Sequence, residues 1–176
     1  MNARHLRTTA FWTAALLASA GVAAQQAASP NPLDTVAEKM PFDIPYGTPI
    51  ALDRAEAAIV AAVAESKRRD WKMNVAVVDG GGNLVAFQRM DGAQTASIAI
   101  AQHKARAAAT FRRETKAFES GIQSGNTYQL TLDGIIASRG GIPIVEGGKL
   151  IGAIGCSGGS GAQDEVVCKA GAATIK

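Results

Sequence analysis

The fold of this chain is decided by residues 140–164, which read GGIPIVEGGKLIGAIGCSGGSGAQD. Two apolar runs, Ile142–Val145 and Leu150–Ile154, flank the pair Gly147-Gly148. A Gly-Gly pair between β-type runs predicts a tight hairpin, because both turn positions can take a positive φ without a steric penalty. The later glycine cluster, followed by acidic residues, predicts an exposed loop and then a helix N-terminus, a geometry that favours anions.

Three segments carry helical signals. Residues 50–69 have apolar residues at helical spacing, with Thr48 as a candidate N-cap and Pro49 at the first helical position. Residues 94–111 are rich in alanine, which predicts a helix that packs closely on a sheet or on another helix. A closing helix is expected over about residues 161–173.

A second hairpin is predicted upstream. The run Met73–Val78 alternates, turns through residues 79–83 and returns as Leu84–Arg89. Residues 115–133 are expected to be the least regular part, and such loops often line a site. Because the strands come in antiparallel pairs, the pattern predicts an α+β fold with helices covering an antiparallel sheet.

The N-terminus has the pattern of a secretory signal peptide. Arg4 and Arg7 provide a basic start, and residues 10–20 are apolar. Small residues then allow cleavage after Ala24, so residues 1–24 are expected to be removed. An uncleaved anchor is the alternative, although the apolar stretch is short for a membrane span.

Cleavage would leave a proline-rich arm, residues 25–47, and one domain, residues 48–176. The arm either packs on the domain or a neighbouring subunit, or is an unstructured linker. We expect a periplasmic or secreted protein without stable membrane insertion after cleavage.

The charge balance argues against nucleic acid as a partner. Loss of Arg4 and Arg7 lowers the number of Lys and Arg residues from 18 to 16, against 15 Asp and Glu residues. A nearly neutral protein lacks the basic surface on which nucleic-acid binding depends.

The residues present also exclude an α/β hydrolase and a structural zinc site. Residues 155–159 match the G-x-S-x-G elbow of α/β hydrolases, but no His follows Ser157, as that triad requires. The cysteines Cys156 and Cys168, with His103, are too few and too dispersed for structural zinc. Export permits a disulfide between the two cysteines, and two buried free thiols are the alternative.

The order and spacing of several motifs resemble the GlcG/HbpS family, which is related to the C-terminal domain of PduO. The resemblance covers roughly residues 48–176 and rests on Val77–Asp79, Gly82–Val85, Lys104-Ala105, Ala108–Phe111, Gly140–Ile144, Gly152–Gly158 and Gln163–Glu165. It implies a profilin-like antiparallel sheet of about five strands flanked by helices. It also implies a haem or tetrapyrrole ligand and a homo-oligomer.

His103 is the candidate ligand of a haem iron. It shares a face of its predicted helix with Ala96, Ala99 and Ile100. A lone imidazole among small and apolar residues is an acceptable axial ligand, and the flat surface suits a flat cofactor. The alternative is a partly buried His bonded to the backbone or to water.

Further candidate cofactor-binding residues would hold the haem propionates. Lys104 and Arg106 lie beside His103, and Arg112-Arg113 follow at the helix end. The backbone of Gly158 and Gly159, with Ser160, could hold a carboxylate at the start of the closing helix. Solvated charge and an ordinary glycine turn with a Ser cap are the alternatives.

The sequence therefore predicts an exported haem-binding protein that sequesters, senses or delivers its ligand, with no catalytic residue assigned. One alternative is an enzyme or accessory protein that acts on small organic acids of the glycolate type, or that degrades haem. The other is a non-catalytic, self-assembling module.

Overall fold

The computed structural model describes residues 34–175. The predicted signal peptide and residues 25–33 of the arm lie outside this range. Residues 34–38 belong to a first unit, and residues 39–175 form the compact unit described below. Its elements are α1 (Leu52–Arg68), β1 (Asn74–Asp79), β2 (Leu84–Arg89), α2 (Ser97–Thr110), α3 (Lys116–Gln123), a 3-10 helix (Thr127–Thr131), β3 (Gly141–Glu146), β4 (Lys149–Ser157) and α4 (Gly161–Ala172).

The four strands form one antiparallel sheet in the order β2-β1-β4-β3. Gly147 and Gly148 form the β3–β4 turn with φ of 54° and 77°, as the Gly-Gly signal predicts. The α+β prediction is confirmed, but the expectation of about five strands is wrong. Within residues 34–175, Tyr46 adds one parallel bridge to Leu150 and no further strand. Pro45 lacks the amide proton that a ladder requires.

Helices cover both faces of the sheet. On one face α1 and α4 pack together against a core that includes Ile59, Val75 and Ile154. On the other face α2 packs on β1, β4 and β3. This second core consists mainly of small residues, among them Ala76, Ala101, Ala105, Ala108 and Ala153.

Small residues let α2 lie very close to β4. A Cβ on Gly155 would overlap the carbonyl oxygen of Ala101 and lie 2.9 Å from the Cβ of Ala105. Only glycine fits at this position, so the alanines on the sheet side of α2 and Gly155 of β4 have one common cause, the close approach of the helix to the strand.

Two local predictions are wrong. The first helix begins after Ala51, which makes no side-chain cap, so Thr48 is not its N-cap. The segment expected to be irregular contains α3, because Phe118 is buried there and its ring meets that of Phe111 edge-on at 5.2 Å. Tertiary packing of one aromatic side chain thus outweighs the local glycines and polar residues.

Part of the arm packs on the domain. The Leu150 amide donates to the Pro45 carbonyl at 2.8 Å, and the Gly47 amide donates to the Leu150 carbonyl at 2.7 Å. The Tyr46 hydroxyl donates to the Thr110 carbonyl at 3.1 Å. These bonds favour the packed alternative for residues 45–47, while the boundary between arm and domain stays a prediction.

Cys156 in β4 and Cys168 in α4 form a disulfide, with Cα atoms 5.6 Å apart. Both residues are fully buried. The bridge ties the central strand to the closing helix. In the part of the chain that the structure describes, no helix combines the length and apolar character needed to cross a bilayer.

Replacing both cysteines with alanine is expected to lower the free energy of unfolding by about 3 kcal/mol, because the bridge restricts the unfolded chain. Urea denaturation of oxidised wild-type and double-variant protein measures this difference. As a control, the double variant is measured with and without reductant, and its urea midpoint should be the same in both, because it has no disulfide to reduce. Equal midpoints for the two oxidised proteins would contradict the prediction.

Candidate functional site

A buried ion pair lies between α2 and α4. The Lys104 Nζ donates to the Asp164 Oδ2 at 2.7 Å, and the two side chains are 1% and 3% exposed. Lys104 faces the sheet with the alanines of α2, while Asp164 lies in the first turn of α4. Lys104, whose ammonium was expected to bind a haem propionate, therefore has a carboxylate partner inside the protein.

The second oxygen of Asp164 holds the glycine turn. The amides of Gly158 and Gly159 donate to the Asp164 Oδ1 at 3.1 Å and 3.0 Å. The backbone expected to bind a carboxylate of a ligand thus binds one of the protein's own. Burial raises the pKa of the Asp164 carboxyl, while Lys104 and the two amides oppose that rise.

Ser160 is the N-cap of α4. Its hydroxyl accepts from the Gln163 amide at 3.4 Å, and the Gln163 side chain accepts from the Ser160 amide at 2.8 Å. This reciprocal pair is a capping box. A cavity of about 340 Å³ lies beside the turn and includes Trp71 and Lys72 in its lining. Gly158 and Gly159 therefore form a turn, and Ser160 caps the helix that follows it.

His103 lies on the other side of α2 from this ion pair. Its ring is half-buried, and the Nε2 atom is 3.2 Å from the Gly134 carbonyl oxygen. A carbonyl only accepts, so Nε2 carries the proton and Nδ1 keeps a lone pair. Ala99 of the same helix and Ala96, which precedes its first residue, are exposed. This bond to the backbone is the alternative role considered for His103, and it leaves one ring nitrogen able to bind a metal.

Arg106 contacts the turn between β1 and β2. Its Nε donates to the Gly82 carbonyl at 3.3 Å, and its side chain is exposed. A Cβ on Gly82 would come within 2.8 Å of the Arg106 Cγ, so this glycine makes room for the arginine. Of the six predicted site residues, Lys104, Gly158, Gly159 and Ser160 gather around Asp164, while His103 and Arg106 lie elsewhere on α2.

Sequence reasoning missed a second ionic cluster beside Asp164. The Arg139 guanidinium binds Glu119 at 2.7 Å and lies 3.5 Å from Glu165, which also meets Lys116 and Lys169. Arg139 holds the pKa of the Glu119 carboxyl below its usual range. Glu165 and Lys169 are four positions apart on α4, but Arg139 comes from a separate segment, so no local motif could have joined it to Glu119 and Glu165.

Residues 34–175 contain no group of three or more His, Cys, Asp or Glu side chains that could hold a metal ion. Ligation of an iron that arrives inside a macrocycle needs only one or two protein ligands. A single imidazole such as His103 therefore fits that requirement.

The model of one protein family, described as "Haem degrading protein HbpS-like", matches residues 50–173. The chain belongs to this HbpS-like family. The assignment confirms the resemblance argued from the glycine-rich stretch.

Named relatives of this HbpS-like chain agree with its fold. Protein GlcG of Escherichia coli strain K12 is 43% identical over 103 residues, which cover 58% of this chain and 77% of GlcG. A doubly substituted HbpS of Streptomyces reticuli has a TM-score of 0.68 and 30% identity, covering 81% of this chain and 97% of that one. The complex of PduOC with haem has a TM-score of 0.67 and 25% identity, covering 73% and 96%.

The residues of this HbpS-like domain fit a haem group at the outer side of α2. The Nδ1 atom of His103 supplies a lone pair, and the exposed alanines nearby leave room for a flat ligand. At the Asp164 side the donors are already used, so that side does not fit a ligand carboxylate.

Removing one partner of the buried pair should be costly, since the other charge is left buried without compensation. We expect Lys104→Met and Asp164→Asn each to lower the free energy of unfolding by about 3–5 kcal/mol. The double variant Lys104→Met/Asp164→Asn should lose less than the sum of the two. A double-mutant cycle by urea denaturation measures this coupling, and single losses below about 1 kcal/mol would refute it.

Proposed function

We propose that this protein binds haem or a related tetrapyrrole outside the cytoplasm. In this proposal it sequesters, senses or delivers the ligand rather than turning it over. The observation that carries the proposal is the His103 imidazole, half-buried on the outer side of α2, with one ring nitrogen free of the proton. The family description and the haem complex of PduOC support the choice of ligand.

The proposed location outside the cytoplasm rests on the sequence. Residues 1–24 have the order of a signal peptide, and cleavage after Ala24 would release the domain. The disulfide between Cys156 and Cys168 suits an oxidising compartment.

Haem, when bound, would supply an iron centre that accepts a nitrogen ligand from the protein. Within the chain, His103 would bind through a ring nitrogen, while the Gly134 carbonyl fixes the tautomer and orientation of the ring. The exposed Ala99 of α2, with Ala96 just before the helix, would lie against the ligand and keep water from part of it.

Haemin titration of the purified chain tests the proposal. A saturable Soret change at about one haem per chain is expected, and His103→Ala should weaken binding or shift the band. Gln102→Ala is the matched control, because Gln102 is the neighbouring half-buried polar residue of α2 and, among residues 34–175, its side chain donates to the Ile98 carbonyl alone. A band unchanged in His103→Ala would remove the ligand assignment, and no saturable change would refute haem binding.

Haem degradation is the second candidate, because the family description names that activity. It requires O₂ and an external reductant, whereas binding alone does not. Addition of ascorbate to the aerobic complex distinguishes the two. A stable Soret band supports binding, whereas loss of the band with release of iron supports degradation.

A further inference from the structure

Two adjacent arginines at the end of α2 have no acidic partner. Within residues 34–175, neither Arg112 nor Arg113 has a carboxylate oxygen within the 4.0 Å that defines an ion pair. The next residue, Glu114, pairs with Lys169 at 3.4 Å. The C-terminal end of a helix favours cations, but a helix end is a weaker partner than a carboxylate.

The Arg113 guanidinium lies among three aromatic rings. Its guanidinium carbon lies 3.1 Å from the ring centre of Phe42 and 5.3 Å from that of Phe118. Its Nε donates to the Phe111 carbonyl at 3.1 Å. The two terminal nitrogens make no hydrogen bond with the described residues, so four N–H donors of a partly buried cation remain for an external acceptor.

Arg112 lies beside it and is fixed as well. Its Nη1 donates to the Ile44 carbonyl at 2.9 Å, and its guanidinium carbon is 5.5 Å from the Tyr46 ring centre. Arg112 has a φ of 53°, a left-handed conformation that costs a residue with a Cβ about 1 kcal/mol or more. This conformation ends α2 in a Schellman motif, in which the Arg113 amide donates to the Ala108 carbonyl at 3.2 Å and the Arg112 amide donates to the Ala109 carbonyl at 3.3 Å.

This pair adjoins the surface that carries His103. Gly134, whose carbonyl meets the His103 ring at 3.2 Å, also lies against Phe111: a Cβ on Gly134 would be 3.8 Å from that ring. Phe111 in turn has its ring centre 5.9 Å from the Arg113 guanidinium carbon. The His103 imidazole and the Arg113 guanidinium are thus connected through Gly134 and Phe111, which lie between them.

We propose that Arg113, supported by Arg112, binds a carboxylate of the ligand. A planar guanidinium with free terminal nitrogens matches a carboxylate in a two-point hydrogen bond. The carboxylate has two sources, a propionate of a tetrapyrrole or a free small organic acid. The first source rests on the proposed function, and the second does not.

Binding measurements on Arg113→Gln test this site. Loss of a charge-assisted bond should weaken haemin binding by about 10- to 100-fold. Haemin dimethyl ester, which has no free carboxylate, should bind wild type and Arg113→Gln equally. Arg89→Gln is the matched control, because Arg89 is exposed on β2 and has no ion-pair partner among the described residues.

The Arg113→Lys variant separates binding from folding. Lysine keeps a cation beside Phe42 but lacks the planar fork, so it should remain folded by circular dichroism and still bind haemin more weakly than wild type. Equal haemin affinity in wild type, Arg113→Gln and Arg113→Lys would exclude a propionate as the carboxylate that Arg113 binds, and together with no glycolate shift it would overturn the assignment.

Thermal shifts with glycolate separate the two sources. A rise in wild-type Tm that is lost in Arg113→Gln, without saturable haemin binding, supports the free acid and refutes the proposed function alone. Haemin binding that is unaffected by Arg113→Gln, with no glycolate shift, refutes the arginine site alone. Absence of both responses in wild type refutes both proposals.

Discussion

The pairing of Lys104 with Asp164 is the interaction on which the arrangement of this domain depends. It joins α2 to α4 at the end of the central strand, and the same carboxylate fixes the turn through Gly158 and Gly159. A buried charge is tolerated only when it is compensated on every side. Displacement of any one of these segments would leave a charge or an amide in the core without a partner.

Much of the fold could be predicted from local signals, because those signals act over a few residues. The Gly147-Gly148 turn and the helix after Ser160 are specified by neighbouring residues. The ion pair could not be predicted, since Lys104 and Asp164 lie 60 positions apart and the acidic residue also suits a helix N-terminus. The Gly158 and Gly159 amides, which were expected to hold a carboxylate of a ligand, donate to the protein's own Asp164.

Helix α2 carries residues that stabilise the fold on its sheet side and the proposed haem ligand, His103, on its outer side. Consecutive helical residues point about 100° apart, so Lys104 is buried while its neighbour His103 reaches the outer surface. The two sides of the helix also differ in their constraints. The sheet side must stay small because Gly155 approaches it, whereas Ala99 and Arg106 are exposed on the helix.

The disulfide also affects how the protein matures. The chain has two cysteines, so only one intramolecular pairing exists. Oxidation therefore cannot scramble within a single molecule, and correct pairing requires an oxidant but no isomerase to correct errors.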